Sequence, residues 1–319
     1  MVHRPPNATR AVVAVVVASL AITACAQLLG ARALAHASPG RTSYHQLRVG
    51  DRTRSYILHL PPAAARGRVP LVLVLHGHHS NAAVMRASAG LDTLADRYAM
   101  AVAYPEGSGW FPFAGLAWNA VSCCGYAVDH AVDDVGFALA LTDTLANRGW
   151  VDPSQLFIAG FSAGGMLAFR IACEHADRVV AIANVAGAMP DTACTPSRPV
   201  SVLLVRGEAD KSLRDYHDTH TNRDTFHSFA TSYENAFHFW AEVNRCERDP
   251  RMTRGGGVLA YLLRTCHHGT AVELLTIADH PHAWPGGAAS WLFAPTPSAR
   301  VHGSALILAF FARHRRAMQ

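Results

Sequence analysis

The sequence predicts an α/β protein built on a doubly wound, mostly parallel sheet with helices on both faces. Predicted strands and helices alternate along the chain, which is the pattern of a parallel sheet. Several strands are continuous apolar runs, such as PLVLVL and VVAIANV, as expected for strands buried on both faces. The chain has 319 residues, of which 50% are hydrophobic and 16% charged, which fits one globular domain of ordinary upper size.

The first half of the chain supplies the first predicted strands. SYHQLRV and RSYILHL are expected to pair, with breaks at Gly50 and at Pro61 and Pro62. PLVLVLHG follows as a buried strand, NAAVMRASAGLDTLADRYA as a helix and MAVAYP as the next strand. The segment from Glu106 to His130 is rich in Gly, Trp and Phe and is too long for a mere connector, so it predicts a functional loop.

The second half continues the alternation. AVDDVGFALALTDTLANRG predicts a helix, SQLFIAG a strand and SAGGMLAFRIACEHA a helix that follows it at once. RVVAIANVAG and PVSVLLVRG predict two more buried strands. Helices are expected near FATSYENAFHFWAEV and ARVHGSALILAFFARH, on either side of a strand at VELLTI.

Residues 1–37 are predicted to be a signal peptide and linker ahead of a single catalytic domain at 38–319. Arg4 and Arg10 precede the apolar run AVVAVVVASLAITA, which has signal-peptide length. Two processing sites compete: ITAC, ending in Cys25, has the form of a bacterial lipobox, and AHA precedes Ser38. We favour lipidation of Cys25, which would attach an exported protein to the cell membrane; soluble secretion after cleavage and an uncleaved anchor are the alternatives.

Charge and cysteine usage narrow the function classes further. The net charge is +5, with Lys211 the only lysine, and the arginines are scattered rather than clustered, so no nucleic-acid partner is expected. Beyond Cys25 an even number of cysteines remains, which in an exported chain suggests disulfides in one of 15 connectivities. No C-x-x-C pair occurs, so a structural zinc site is not expected. The six cysteines are Cys123, Cys124, Cys173, Cys194, Cys246 and Cys266.

AGFSAGGM places Ser162 between a predicted strand and a predicted helix. A strand that turns directly into a helix holds the residue between them in strained backbone angles, with its side chain exposed at the carboxyl end of the sheet. Small residues such as Gly160 and Gly164 let the strand and helix approach closely. The context therefore favours a nucleophile over a structural turn.

A serine nucleophile needs an imidazole base, and the base needs a carboxylate to orient it. RGEAD follows a predicted strand and puts Asp210 at the same sheet edge as Ser162; Asp215 and Asp218 are alternatives further along. ADHPHAWPGG follows the last strand and offers His280 and His282, of which His282 is the better candidate. The order Ser, acid, His is that of α/β hydrolases.

Acyl transfer also needs backbone NH groups aimed at the developing oxyanion. Ala163 should supply one NH, directly after the nucleophile, and His78 the other, in the loop LHGHHS. His76, His78 and His79 could instead form a metal cluster, but without an acidic partner in register we expect no metal. No cofactor is required by this chemistry.

Seven motifs in order resemble the polyhydroxybutyrate depolymerase and feruloyl esterase group of α/β hydrolases, particularly its secreted lipoprotein esterases. They span about four-fifths of the predicted mature chain. The motifs are LHG at 75–77, AYPEG at 103–107, WNAVSCCG at 118–125, VDDVGF at 132–137, GFSAGGM at 160–166, RGEAD at 206–210 and HAWPGG at 282–287.

The resemblance implies the α/β-hydrolase fold and the same triad of Ser162, Asp210 and His282. It also suggests disulfides Cys173–Cys194 and Cys246–Cys266, which agrees with their positions flanking a strand and following a long helix; Cys123 and Cys124 would be a vicinal pair or free. ADHPH stands where the family often has GGGH, and LHGH where it often has LHGC. These departures affect loop shape and substrate preference rather than the chemistry.

The predicted function is a serine esterase acting on small-molecule or polymeric esters of short hydroxyacyl or aromatic acyl groups. Trp118 and Trp284 are expected to contact the acyl group and Asn119 a polar group on the substrate. Trp110, Phe111 and Phe113 also fall in the long loop and could simply pack it. A peptidase on the same fold and a catalytically silent lipoprotein that binds polymer or glycan are the alternatives.

Overall fold

A computed structural model describes residues 40–189, 194–212, 233–289 and 294–316 of the chain. The predicted signal segment with Cys25, and the alternative acids Asp215 and Asp218, lie outside these residues. Of the helices in the described ranges, none combines the length and apolar character that crossing a bilayer requires.

Within the described ranges, ten strands form one sheet. In chain order they are β1 (Arg41–Val49), β2 (Arg52–Leu60), β3 (Val69–Leu75), β4 (Ala101–Pro105), β5 (Val151–Phe161), β6 (Val179–Val185), β7 (Ser201–Gly207), β8 (Arg251–Gly255), β9 (Val258–Leu263) and β10 (Val272–Ile277).

Seven α-helices are described along with the sheet. They are α1 (Ala82–Ala89), α2 (Asp92–Tyr98), α3 (Gly125–Asp129), α4 (Asp134–Asn147), α5 (Ala163–Glu174), α6 (Tyr233–Val243) and α7 (Gly303–Arg313). Short 3₁₀ helices occur at Pro62–Ala65 and His267–Gly269.

The strand order across the sheet is β1-β2-β4-β3-β5-β6-β7-β10-β9-β8. The six central strands from β4 to β10 are parallel, and the strand pairs at both ends are antiparallel. The mostly parallel, doubly wound sheet predicted from the sequence is therefore confirmed. Its parallel strands end at one common edge, where the loops after β3, β5, β7 and β10 meet.

Both faces of the sheet are covered, which is why its central strands are apolar throughout. On β3, Leu73 and Leu75 belong to one hydrophobic layer with helices α4, α5 and α6, while Val72 and Val74 belong to the other with α1, α2 and α7. Alternate side chains of a strand point to opposite faces, so a strand buried on both sides needs apolar residues at every position.

The structure differs from the predicted elements at three places. The segment predicted as one helix after β3 is two, because Gly90 adopts a left-handed conformation (φ 59°) that ends α1. The long loop before α4 contains the short helix α3. Strands β8 and β9 were not predicted; β8 is exposed along its whole length, so it lacks the apolar alternation that marks a strand.

The structure pairs Cys173 with Cys194 and Cys246 with Cys266, as the family resemblance suggests. Cys123 and Cys124 form a vicinal pair. Cys173 lies on α5, the helix that begins directly after the predicted nucleophile. Its disulfide with Cys194 therefore links this helix to the segment that precedes β7.

Candidate active site

Ser162 occupies the turn between β5 and α5. Its backbone angles are φ 53° and ψ −120°, a strained conformation for a residue with a side chain. Its NH donates to Val185 O on the neighbouring strand β6 at 2.8 Å, which holds the turn on the sheet. A Cβ at Gly160 would collide with the backbone of Gly164, so the glycines let the helix start directly above the strand.

Asp210 and His282 meet at the same sheet edge. Asp210 follows β7 and His282 follows β10, and these strands are parallel neighbours. The Asp210 Oδ2 and His282 Nδ1 atoms are 2.7 Å apart. The Asp210 side chain is buried, with its second oxygen accepting from the NH of Ser212 at 3.0 Å, whereas the imidazole remains partly exposed. His282 also lines the cleft that Ser162 lines.

His280, the alternative base, is placed differently. Its Nδ1 accepts from the NH of Ser298 at 3.1 Å, so its Nε2 carries the proton and donates to Ala283 O at 3.0 Å. The ring is buried, which lowers its pKa. Both ring nitrogens therefore hold the loop that presents His282, and neither faces a carboxylate.

The loop after β3 lies against the nucleophile turn. A Cβ on Gly77 would stand 3.4 Å from the Ser162 Cβ. Two of the backbone NH groups that follow Gly77 are hydrogen-bonded within the protein. The NH of His79 donates to Leu116 O at 2.9 Å and that of Ser80 to Gly77 O at 3.2 Å. Within the described residues the NH of His78 makes no backbone hydrogen bond, so it is available to a ligand, as is expected of an oxyanion donor.

His76 and Trp118 hold the β3 loop in place through hydrogen bonds, and we call this pair the brace. The NH of Gly107 donates to His76 Nε2 at 2.9 Å, so the proton is on Nδ1, which donates to Gly77 O at 2.7 Å. Burial lowers the pKa of His76 to about 4, which keeps the ring neutral and able to accept. The Trp118 indole NH donates to His76 O at 2.8 Å, and the two rings lie 4.7 Å apart.

Asn119 belongs to a buried polar network beside this brace. Its backbone NH donates to Asp134 Oδ2 at 2.7 Å and its side-chain amide to Val132 O at 3.0 Å. Asp134 forms a buried ion pair with Arg54 at 2.7 Å. Asp133 caps α4 by accepting from the NH of Gly136, the structural role expected of a carboxylate at a helix N-terminus.

A cleft opens beside Ser162 and His282 between the β3 loop, α1 and the loop after β10. Its walls are mainly apolar, with hydroxyl groups at several points. The described residues that line it are Gly77, His78, Ser80, Val84, Met85, Ser88, Phe161, Ser162, His282, Ala283, Trp284, Ala288, Ala289, Pro295 and Pro297.

Of the predicted site residues, the cleft is lined by Ser162, His282, His78 and Trp284, and Asp210 is buried behind His282. Trp118 and Asn119 do not line it. Trp118 is 1% exposed and its NH is bonded to His76 O, and the Asn119 amide is bonded to Val132 O. Both residues therefore position the β3 loop and α4 instead of contacting the acyl group. Ala163 begins α5, directly after Ser162, as an oxyanion donor requires.

The cleft-lining face of α1 was not anticipated from the sequence. Val84, Met85 and Ser88 recur at the i, i+1, i+4 spacing of one helical face, which indicates a buried face but not what it is buried against. Across the described ranges, no three His, Cys, Asp or Glu side chains are grouped so that they could hold a metal ion.

The fold and the arrangement at its sheet edge define an α/β hydrolase. The particular family follows from comparison with known proteins: the family described as Esterase PHB depolymerase matches residues 54–210. The chain is also 33% identical over 271 residues to NocK of Nocardia uniformis subsp. tsuyamanensis, a protein assigned as an esterase, covering 77% of this chain and 75% of that one. The chain belongs to the PHB depolymerase esterase family.

Two further proteins that the chain resembles are esterases. It is 29% identical over 184 residues to Feruloyl esterase B of Piromyces equi, covering 56% of this chain and 33% of that protein. The acetyl xylan esterase from Aspergillus awamori superposes with a TM-score of 0.55 at 13% identity, covering 85% of this chain and 99% of that one. The second likeness shows the shared fold.

Proposed function

We propose that the chain is a serine carboxylic ester hydrolase in which Ser162 is the nucleophile, His282 the base and Asp210 the acid that orients it. The observation that supports this most directly is the meeting of a strained Ser162 with a histidine whose Nδ1 lies 2.7 Å from a buried carboxylate. A binding protein has no need of this combination, in which the serine and the carboxylate-bound histidine line the same cleft.

The proposed reaction proceeds through an acyl-enzyme. Ser162 Oγ attacks the ester carbonyl while its proton passes to His282 Nε2, and the NH groups of His78 and Ala163 stabilise the oxyanion. Collapse of the tetrahedral intermediate expels the alcohol, which takes the proton from His282. Water then attacks the acyl-enzyme by the same steps in reverse and releases the acid.

The proposed substrates are esters of short hydroxyacyl or aromatic acyl groups, as small molecules or on a polymer. The cleft walls formed by Val84, Met85, Phe161 and Trp284 suit a compact apolar acyl group. The names of the family and of the Piromyces equi relative support the same substrate classes.

Labelling with a fluorophosphonate probe tests the nucleophile, because the probe requires an activated serine and an oxyanion hole. The wild-type protein should be labelled, and Ser162→Ala should lose both labelling and hydrolysis of p-nitrophenyl butyrate by several powers of ten in kcat. Ser154→Ala is the matched control, because Ser154 is exposed on the same strand and its hydroxyl bonds only Asp152. A folded Ser162→Ala protein that keeps a tenth of the activity contradicts the assignment.

Rates on a substrate panel test the acyl class. Purified enzyme should give higher kcat/KM on p-nitrophenyl butyrate, a 3-hydroxybutyrate oligomer or methyl ferulate than on trioctanoin or a peptide anilide. A preference for the anilide would favour a peptidase, and a protein that neither labels nor hydrolyses any ester would favour the silent binding protein.

We also propose that the mature protein is exported and attached to the membrane through a diacylated Cys25, with 38–319 as the single catalytic domain. The apolar run that ends in ITAC supports this attachment. Mass spectrometry of the native N-terminus decides between a lipidated Cys25 and cleavage before Ser38.

A further inference from the structure

Asn184 is a polar side chain in the otherwise apolar strand β6. The strand reads VVAIANV, and each of its residues is buried. Asn184 is fully buried, yet its Nδ2 has no hydrogen-bond partner among the described residues. A buried donor without a partner costs stability, and native structures keep few such groups. An apolar side chain at this position would avoid that cost, so the amide points to a role other than stability.

The Asn184 side chain closes the turn that follows β6. Its Oδ1 accepts from the backbone NH of Gly187 at 3.0 Å, so the side chain takes the place of a backbone carbonyl in holding the turn. Ala186, inside the turn, has a left-handed φ of 54°, and its NH donates to Val205 O on β7 at 3.0 Å. The turn is therefore held both by Asn184 and by the neighbouring strand.

The same turn contacts the nucleophile at two points. Val185 O accepts from the backbone NH of Ser162 at 2.8 Å, and a Cβ on Gly187 would lie 2.5 Å from Ser162 O. The first turn of α5 lies against the amide, because a Cβ on Gly165 would stand 2.7 Å from Asn184 Nδ2. Ser162 has strained backbone angles, which a residue keeps only while its surroundings hold it.

Tyr233, the first residue of α6, holds the amide from the other side. Its hydroxyl donates to Asn184 Oδ1 at 3.3 Å. Burial raises the pKa of Tyr233 well above its usual value, and the negative charge of Asp210 raises it further, so the hydroxyl keeps its proton. Two donors on Oδ1 fix which end of the amide faces Gly187.

We propose that Asn184 is a positioning residue for the nucleophile. Through Gly187 it shapes the turn after β6, and this turn sets Val185 O where it holds the backbone NH of Ser162. The inference rests on the proposed function, because it requires that Ser162 attacks the ester. Without the amide the turn can relax, and the Ser162 hydroxyl is then no longer kept in line with the ester carbonyl and the base.

Asn184→Ala tests the inference, because it removes both hydrogen bonds at Oδ1. We expect kcat on p-nitrophenyl butyrate to fall about 30-fold, since a displacement of about 1 Å at a reacting group can cost a factor of roughly 100. KM should stay within about twofold of wild type, because Asn184 does not line the cleft. The rate constant of fluorophosphonate labelling should fall by a similar factor to kcat.

Asn244→Ala is the matched control. Asn244 is also fully buried and makes two hydrogen bonds through its amide, from the NH of Val200 at 3.0 Å and to Val200 O at 2.7 Å. Val200 precedes β7, at the sheet edge opposite to Ser162. This variant should lower the melting temperature as Asn184→Ala does, but it should keep the wild-type kcat.

Tyr233→Phe makes the same test with a smaller change. It removes one of the two hydrogen bonds to Asn184 Oδ1 and keeps the ring, so the protein should fold and kcat should fall about threefold with KM unchanged. Tyr104→Phe is its control, because the Tyr104 hydroxyl donates to Asp92 Oδ1 at 2.8 Å and neither residue lines the cleft. Tyr104→Phe should keep the wild-type kcat.

The outcomes separate this inference from the proposed function. Wild-type kcat in a folded Asn184→Ala, a loss confined to KM, or an equal loss of kcat in Asn244→Ala overturns the role of Asn184 while the esterase stands. If Asn184→Ala does not fold, Tyr233→Phe decides, and a kcat equal to that of Tyr104→Phe overturns the role. Absence of both hydrolysis and fluorophosphonate labelling in the wild-type protein overturns the proposed function, and the role of Asn184 with it.

Discussion

Three histidines around the cleft differ in what their ring nitrogens bond. His76 and His280 are buried, and each bonds backbone groups through both nitrogens. His282 keeps one nitrogen on Asp210 and has a partly exposed ring. Burial lowers the pKa of the first two rings and keeps them neutral, which suits a structural role. The direct hydrogen bond to Asp210 is what the proposed base has and the other two histidines lack.

Because the Trp118 NH helps to hold the β3 loop, we expect kcat to fall when this NH is removed. Trp118→Phe deletes the hydrogen bond to His76 O and loosens the loop that presents the NH of His78. We expect kcat to fall about 10-fold with KM little changed, less than the loss of an oxyanion donor outright, because the donor acts mainly in the transition state. Steady-state kinetics on p-nitrophenyl butyrate measure this split.

Trp240→Phe is the matched control for that prediction. Trp240 is fully buried on α6, and its indole NH has no hydrogen-bond partner among the described residues. The same change of side-chain size there should cost stability but not kcat. Equal loss of kcat in the two variants, or wild-type kinetics in Trp118→Phe, would contradict the positioning role of Trp118.

At the scale of elements, the catalytic turn depends on how closely α5 approaches β5. A Cβ at Gly160 would collide with the backbone of Gly164 and lie 2.5 Å from the NH of Gly165. Backbone atoms cannot move aside as a flexible side chain can. The strand and the helix must therefore separate if Gly160 changes, and Ser162 would leave its position above the sheet.

Gly160→Ala should accordingly destabilise the protein by several kcal/mol, in the range of overpacked core substitutions or above it. Gly255→Ala is the control: it lies on the exposed strand β8, has no atom within 4 Å of the added Cβ and should change stability by less than about 1 kcal/mol. Urea unfolding compares the two proteins. Equal stability would show that the turn tolerates a wider separation.

At the scale of the whole molecule, stability depends on a buried carboxyl under the β3 loop. Glu106 is 6% exposed, and its Oε2 accepts from the NH of Ala82 at 3.2 Å, at the start of α1. Burial raises the pKa of Glu106 from 4.5 to about 7. The folded state binds this proton more tightly than the unfolded chain, so the stabilisation is complete below 4.5 and is lost as pH rises through about 7.

Glu106→Gln should therefore stabilise the protein increasingly as pH rises. Glutamine stays neutral and its oxygen can still accept from Ala82, so the gain over wild type should grow from under 1 kcal/mol near pH 5 to at most about 3 kcal/mol at pH 8. Thermal or urea unfolding across this range measures it. Glu208→Gln, at an exposed carboxyl, should show no such trend, and a gain independent of pH would refute the explanation.

Much of the sheet could be predicted from the sequence, because burial on both faces imposes continuous apolar runs on β3, β6 and β7. Its ends could not. Strands β8 and β9 lie at the edge and are wholly or partly exposed, so their sequence is free of that constraint. The break at Gly90 could not be predicted either. The apolar spacing of a helix continues on both sides of this residue, and the spacing gives no sign that Gly90 adopts a left-handed conformation.

By itself the sequence determined which residue types stand after which strands: a serine after β5, an acid after β7 and a histidine after β10, in an order that chemistry requires. Only the tertiary structure decided which of the candidate residues are hydrogen-bonded to one another and which of them line the cleft. It placed His282 rather than His280 in a hydrogen bond with Asp210. It bonded Trp118 to His76 and Asn119 to Val132, away from the cleft, and it placed Ser88 among the residues that line the cleft. The physical reason is that motifs record local constraints along the chain, whereas hydrogen bonds and burial join residues that the chain separates.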